Sequence, residues 1–239
     1  MLIDVKNLFK IYHEGEESEV RALDGVSLSV DRGEFLAIIG QSGSGKSTLM
    51  NILGCLDIPT YGDYHLDGVD VTELSDRQLA HIRNKQIGFI FQGFNLIPAL
   101  NAWENVELPL IYQGVPASKR ADRVEAALER VGLAERAGHK PTEMSGGQQQ
   151  RVGVARALVV NPEIIFADEP TGNLDSNTSR EVMELMQKVV REQKQTLVMV
   201  THDNYLAGFA DRIFHIIDGK IVKIEDNRNK AEEPAAQKA

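Results

Sequence analysis

The stretch Gly40-Gln41-Ser42-Gly43-Ser44-Gly45-Lys46-Ser47 spaces its glycines and closes on a Lys-Ser pair in the pattern of a phosphate-binding loop. Glycine lets the backbone curl so that successive N–H groups aim at one anion. A helix continuing over Thr48-Leu49-Met50-Asn51-Ile52-Leu53 adds the positive end of its dipole. Lys46 can then reach the β- and γ-phosphates of a nucleotide, and the Ser47 hydroxyl can ligate Mg²⁺. Asp168 and Glu169 stand together after the apolar run Ile164-Ile165-Phe166-Ala167. Asp168 suits the second Mg²⁺ contact. Glu169 suits the general base for an attacking water, a role worth about 10²–10⁴ in rate. His202 follows the apolar run Leu197–Val200 and could hydrogen-bond a γ-phosphate, whereas the other five histidines show no metal-ligand spacing.

These groups need elements to hold them. Phe35–Ile39, Ile87–Phe91, Ile164–Ala167 and Thr196–Val200 are short apolar runs of the kind that form strands buried on both faces. Between them lie helical patterns: Ala121, Val124, Leu128 and Val131 share one face, as do Val182, Leu185, Met186 and Val189. Alternating strands and helices predict a parallel sheet covered by helices. In such sheets ligands sit beyond the carboxyl ends of the strands. Gly40, Gln92, Asp168 with Glu169, and His202 all fall there, after four separate strands. Ser145 is a good N-cap, so Ser145-Gly146-Gly147-Gln148 predicts a helix whose amino end faces outward, ending at Asn161-Pro162.

The flanking regions carry weaker signals. Leu2–Val5 and Val20–Val30 suggest an antiparallel layer, with a turn over 31–34. Tyr12 lies in between, either stacking on a base or standing as a half-buried strand residue. The loop Phe94–Leu100 is unusually apolar, hence buried or a docking surface. Asp218-Gly219 reads as a hairpin turn, and residues 226–239 as a polar, neutral, disordered tail.

Composition narrows the function further. Lys and Arg number 26 against 35 Asp and Glu, a net charge of −9, which argues against nucleic acid as a partner. No apolar run approaches the ~20 residues that span a bilayer. No signal peptide is expected from the N-terminal residues, and Cys55 is the sole cysteine, so no internal disulfide can form. Together these predict a cytoplasmic chain.

With these residues in view, the chain resembles the ATP-binding-cassette (ABC) ATPases over residues 1 to about 225. Gly40–Ser47 matches Walker A, Gln92 the Q-loop, Ser145–Gln148 the signature, Ile164–Glu169 Walker B, Asn173-Leu174-Asp175 the D-loop and His202 the H-loop. Tyr12 matches the adenine-stacking aromatic. The stretches 51–57, 94–98 and 104–110 resemble the lipoprotein-release (LolD) and macrolide-exporter (MacB) ATPases.

The resemblance implies an α/β P-loop NTPase fold with a mostly parallel sheet, an N-terminal antiparallel β layer and an inserted helical subdomain. It places the core at 1–92 and 163–225 and the helical subdomain at about 93–162. It implies ATP as ligand to Tyr12, to Gly40, Ser42, Gly43, Ser44, Gly45, Lys46, Ser47 and Thr48, and to Gln92, Asp168 and His202. Mg²⁺ falls to Ser47, Gln92 and Asp168, and catalysis to Glu169, His202, Gln92 and Lys46. Ser145, Gly146, Gly147, Gln148 and Asp175 would serve the nucleotide of a second copy in an ATP-sandwich homodimer. Met144 and Gly172-Asn173 depart from the usual family residues without removing a catalytic group.

The implied partners are an integral membrane permease and an extracytoplasmic adaptor, with this chain peripheral on the inner membrane face. The function expected is ATP-driven export of a lipoprotein, macrolide or peptide. A non-transport signalling ATPase of cell-division (FtsE-like) or antibiotic-sensing type is the alternative.

Overall fold

The computed structural model describes residues 1–228. In chain order, β1 (Ile3–Tyr12) and β2 (Val20–Val30) precede β3 (Phe35–Ile39) and α1 (Lys46–Leu53). Next come β4 (Tyr61–Leu66), β5 (Val69–Asp70), α2 (Asp76–Gln86) and β6 (Ile87–Phe91). Three helices follow, α3 (Ala102–Tyr112), α4 (Ala117–Arg130) and α5 (Gly146–Leu158). The rest is β7 (Ile164–Asp168), α6 (Ser176–Glu192), β8 (Thr196–Thr201), α7 (Asn204–Ala207) and the hairpin of β9 (Arg212–Ile217) with β10 (Lys220–Asp226).

The strands form two sheets. The antiparallel one has the order β2-β1-β4-β5, and the central one the order β10-β9-β3-β8-β7-β6. From β9 to β6 the central sheet is parallel, and only β10 runs against its neighbour. Every residue of β3 and β8 is buried, because both faces of the sheet are covered. The period of two divides each strand between two cores. Leu36, Ile38, Phe166, Val198 and Val200 join α1, α2 and the antiparallel sheet on one face. Phe35, Ala37, Ile39, Ile165, Ala167 and Met199 join α3–α6 on the other.

Residues 93–162 form the expected helical block, yet α3, α4 and α5 share one continuous apolar cluster with β3, β7 and β8 rather than enclosing a core of their own. The buried face of α4 is Val124, Ala127 and Leu128, followed by Val131; Ala121 is exposed, one turn too early to reach the core. At the other end, β10 continues through Asp226, and Asn227 bonds back to the backbone of Asp211 and Ala210. The ordered chain therefore extends past the boundary that composition suggests; residues 229–239 of the expected tail lie outside the described residues. Cys55 is buried, and desolvation pushes its thiol up to about 11.

Candidate active site

The strand order sets the site. Because β3, β8, β7 and β6 are parallel neighbours in register, their carboxyl ends lie side by side. Gly40 follows β3, His202 follows β8, Asp168-Glu169 closes β7 and Gln92 follows β6.

The phosphate loop is bent by Gly45, whose φ of +100° suits glycine alone and whose Cβ, if present, would lie 2.4 Å from the carbonyl of Ala22. Lys46 is 7% exposed and opens α1. Its ammonium donates to the carbonyls of Gly40 (2.8 Å) and Gln41 (2.7 Å), so the charge points back across its own loop and, among the described residues, has no carboxylate in salt-bridge contact. The Ser44 hydroxyl is buried without a partner among the described residues. The first-turn N–H groups of α1 have no intrahelical acceptor. A cradle of orphan donors around a buried ammonium fits a polyphosphate. The β9–β10 turn braces the loop: Gly219 N–H donates to Ser44 O (3.0 Å), and Asp24 N–H donates to Gly219 O (3.0 Å).

Asp168 is half-buried, and its carboxyl lies above the ordinary range because burial and then the neighbouring Glu169 charge disfavour ionisation, against the pull of Lys46. A carboxylate so placed gains from a cation beside it. Ser47, Gln92 and Asp168 supply a hydroxyl, an amide and a single carboxylate, a donor set suited to a Mg²⁺ held mainly by substrate phosphates and water.

Glu169 takes a left-handed backbone conformation (φ +44°), which is strained for a residue with a Cβ. Its N–H donates to Val200 O and its carbonyl accepts from Gly172 N–H, fixing the turn that follows β7 against the neighbouring β8. The Glu169 carboxylate, 19% exposed, meets Nδ1 of the exposed His202 at 2.6 Å. One cleft is lined by Gly40–Ser44, His202 and His215, and a second, lined by Glu169, Thr171, Gly172 and Leu174, shares His202 with it.

Gln92 is exposed and turned toward the segment after Glu169. Its Nε2 donates to Asn173 Oδ1 (3.4 Å), and Asn173 Nδ2 donates to Gln92 O (3.1 Å). A Cβ on Gly172 would come within 2.6 Å of Gln92 Nε2, so glycine is what admits this contact. Gly172-Asn173, a departure when read from the sequence, is thus a paired fit to Gln92.

Tyr12 ends β1 and is 39% exposed. Its hydroxyl donates to Asp57 Oδ2 (3.3 Å), and the Lys10 ammonium, itself paired with Asp57, sits 5.1 Å from the ring centroid. Lys10 and Asp57 orient the ring but went unnoticed in sequence, since a lysine and an aspartate in separate segments give no local signal.

Ser145–Gln148 and Asp175 do not line the phosphate-loop cleft, although Leu174 and Ser176, which flank Asp175, line the second one. Ser145 caps α5 in a reciprocal capping box with Gln148 (3.3 and 3.0 Å). Gly147 abuts Thr178 of α6, where a Cβ would meet Cγ2 at 2.5 Å. Asp175 caps α6, accepting from the Thr178 hydroxyl and from the N–H groups of Asn177 and Thr178, bonds that hold its carboxyl below the usual range. Within one chain its oxygens are therefore occupied by the cap.

The loop Phe94–Leu100 is only partly buried. Leu96 packs against the helical core, and Asn105 ties the loop through its bonds to Ile97, Leu100 and Asn101. The apolar groove lies beside it, a cleft of about 450 Å³ floored by Phe89, Phe91, Leu108 and Tyr112, to which the loop contributes Asn95 alone. Of the loop residues expected to be buried or to form a docking surface, Leu96 is partly buried and Ile97 is exposed. No helix among the described residues is long and apolar enough to cross a membrane.

Comparison with known proteins agrees with this geometry. A family model described as "ABC transporter" matches residues 23–172. The macrolide export ATP-binding/permease protein MacB of Hyphomonas neptunium is 50% identical over 236 residues, covering 99% of this chain and 36% of that protein. The pyoverdine export ATP-binding/permease protein PvdT of Pseudomonas aeruginosa is 51% identical over 98% of this chain and 35% of its own length. The chain thus spans about a third of these relatives. An uncharacterized ABC transporter ATP-binding protein of Thermotoga maritima is 52% identical, covering 94% of this chain and 95% of that protein. Among solved structures, the dimeric ATP-binding cassette MJ0796 in a post-hydrolysis state with ADP and Pi superposes with a TM-score of 0.85 at 46% identity, covering 94% of this chain and 98% of the other.

Proposed function

Since the chain belongs to the ABC transporter family, as a cassette that binds and hydrolyses ATP, we propose that it dimerises around two ATP molecules to drive a separate membrane permease in export. The observation that carries this reading is the Glu169–His202 pair, set at neighbouring strand ends beside the phosphate loop. In the proposed roles, Tyr12 stacks on adenine and the residues Gly40–Thr48 hold the phosphates. Ser47, Gln92 and Asp168 hold Mg²⁺, which neutralises charge that develops on the phosphates. Glu169 orients and deprotonates the water, and His202 stabilises the γ-phosphate.

The capped end of α5 then completes the site of a second copy. It stands apart from the phosphate loop of its own chain, and the solved cassette with a TM-score of 0.85 is dimeric. The permease docks at the apolar groove floored by Phe89, Phe91, Leu108 and Tyr112. The relatives named for macrolide export and pyoverdine export favour outward movement, of a macrolide, lipoprotein or peptide type substrate. The working place is then the inner membrane face.

The test is Glu169→Gln. ATP binding should persist, turnover should fall by about 10²-fold or more, and an ATP-trapped dimer should appear on size exclusion. Hydrolysis at the unmodified rate would remove Glu169 from the role.

A further inference from the structure

Tyr12 stands at the tip of a two-stranded projection. β1 pairs with β4 only as far as Phe9, opposite Tyr61. Beyond it the ladder joins β1 to β2 alone, from Lys10 opposite Leu23 to Tyr12 opposite Val20, with a register shift between Lys10 and Ile11. Val20 and Arg21 are exposed, so no packed core lies beneath this end. An isolated pair of strands is marginally stable in water, and a ring carried on one is held loosely unless something else anchors it.

The anchor is an ion pair to the segment that follows α1. Lys10 Nζ donates to Asp57 Oδ1 (2.7 Å) and to Ile58 O (2.8 Å), and it sits over the Tyr12 ring. An ammonium has three N–H donors, and these three contacts occupy them. The Lys10 side chain is 13% exposed, so water screens the pair little. Asp57 in turn accepts from the Tyr12 hydroxyl and from Ile58 N–H (2.8 Å). Its own N–H donates to Asn51 O (3.2 Å), as does that of Leu56 (2.8 Å). Asn51 lies in α1, whose first residue is Lys46. A continuous line of contacts therefore runs from the Tyr12 ring through Lys10 and Asp57 to the helix that leaves the phosphate loop.

We propose that the Lys10–Asp57 pair is a strut that fixes the Tyr12 platform at a set distance from the phosphate loop, so that Lys10 and Asp57 are positioning residues for the nucleoside half of the nucleotide. The inference rests on the reading of Tyr12 as the ring that stacks on the base, and it adds what holds that ring in place. A nucleotide has a fixed span from base to phosphates, so a platform already held at that span loses less freedom when it binds. The ammonium also takes one face of the ring and leaves the other for the base. Neither residue approaches the reacting phosphate, so the strut governs affinity and leaves the hydrolytic step alone.

The experiment measures binding of ATP and of inorganic tripolyphosphate, which has no base, to the full chain by calorimetry, beside steady-state ATPase rates. Tyr12→Ala should weaken ATP by about tenfold, the scale of a lost base–aromatic stack. Lys10→Met should weaken ATP by about fivefold and raise KM in proportion, with kcat and the affinity for tripolyphosphate each within about twofold of the parent. Lys10→Arg, which keeps the charge, should lose less. Adding Lys10→Met to Tyr12→Ala should cost nothing further, because the two residues serve one contact. Melting temperatures accompany every variant. If Lys10→Met does not fold, Asp57→Asn, which keeps an acceptor for Tyr12 and Ile58 but loses the charge, takes its place in the same comparison.

Unchanged ATP affinity in a folded strut variant overturns the inference and leaves Tyr12 stacking intact. Equal weakening of ATP and tripolyphosphate also overturns it, by making the pair a support of the phosphate loop instead of the base platform. So does a loss that adds in full to that of Tyr12→Ala, since the strut would then act on something other than the ring. If Tyr12→Ala itself binds ATP as the parent does, the stacking reading falls and the strut with it.

Discussion

Glu169 Oε2 lies 2.6 Å from His202 Nδ1, joining the end of β7 to the end of β8. The imidazole is largely exposed while the carboxylate is mostly enclosed, so His202 has room to turn toward a phosphate and Glu169 has little. Removing the ring by His202→Ala should lower kcat by about 10²-fold and raise the KM for ATP by less than about threefold, because the loss falls on the hydrolytic step. His202→Gln, which keeps a hydrogen-bonding group, should lose less. Steady-state phosphate release checks both; a loss confined to KM would place His202 in binding alone.

Gly172→Ala should displace Gln92 without disturbing the fold. The added methyl would lie 2.6 Å from Gln92 Nε2, a flexible side chain that can swing away. ATP affinity of the isolated chain should stay within about twofold, and kcat should drop by about tenfold, since a displaced amide misplaces what it orients. Equilibrium binding of a fluorescent ATP analogue beside ATPase rates separates the two. Unchanged turnover would show that the Gln92–Asn173 contact has no part in hydrolysis.

Asp168→Asn should stabilise the nucleotide-free chain at neutral pH. The folded carboxyl titrates above its unfolded value, so the folded state holds its proton more tightly and stability falls as pH rises through that window. The charged aspartate carries the penalty above its folded titration range, and the penalty vanishes only well below about pH 4, where the unfolded carboxyl is protonated as well. The melting temperature of Asp168→Asn should therefore exceed that of the parent at pH 7 and converge with it as pH falls toward about 3, while Mg²⁺-dependent ATPase is lost. A variant less stable than the parent at pH 7 contradicts this account.

Ser145→Arg and Lys46→Ala should complement each other. Ser145 caps α5 away from the phosphate loop, so in the proposed dimer each substitution damages one half of a site contributed by different copies. Either variant alone should trap no nucleotide, whereas a mixture should form dimers in which one of the two sites is intact. Confirmed mixed dimers with no trapped nucleotide would count against a site shared between copies.

Local chemistry in the sequence determined the phosphate loop, the buried strands, the Ser145 cap and the Asp218-Gly219 turn. Each depends on residues a few positions apart, through glycine geometry, side-chain period or a cap bonded to its own first turn. The Asp168-Glu169 pair was equally legible, since an apolar strand ran straight into it. Tertiary structure alone decided which strand ends became neighbours. The order β3-β8-β7-β6 brought His202 to Glu169 and Asn173 to Gln92, and no local period encodes strand order. The same order placed β6 at the edge of the sheet. Its alternate residues Phe89 and Phe91, which read as buried strand from sequence, are therefore half-exposed and floor a groove closed by α3. The apolar loop after Gln92 was the visible sequence signal for docking. The groove formed beside it, where β6 and α3 leave Phe89 and Phe91 only partly covered.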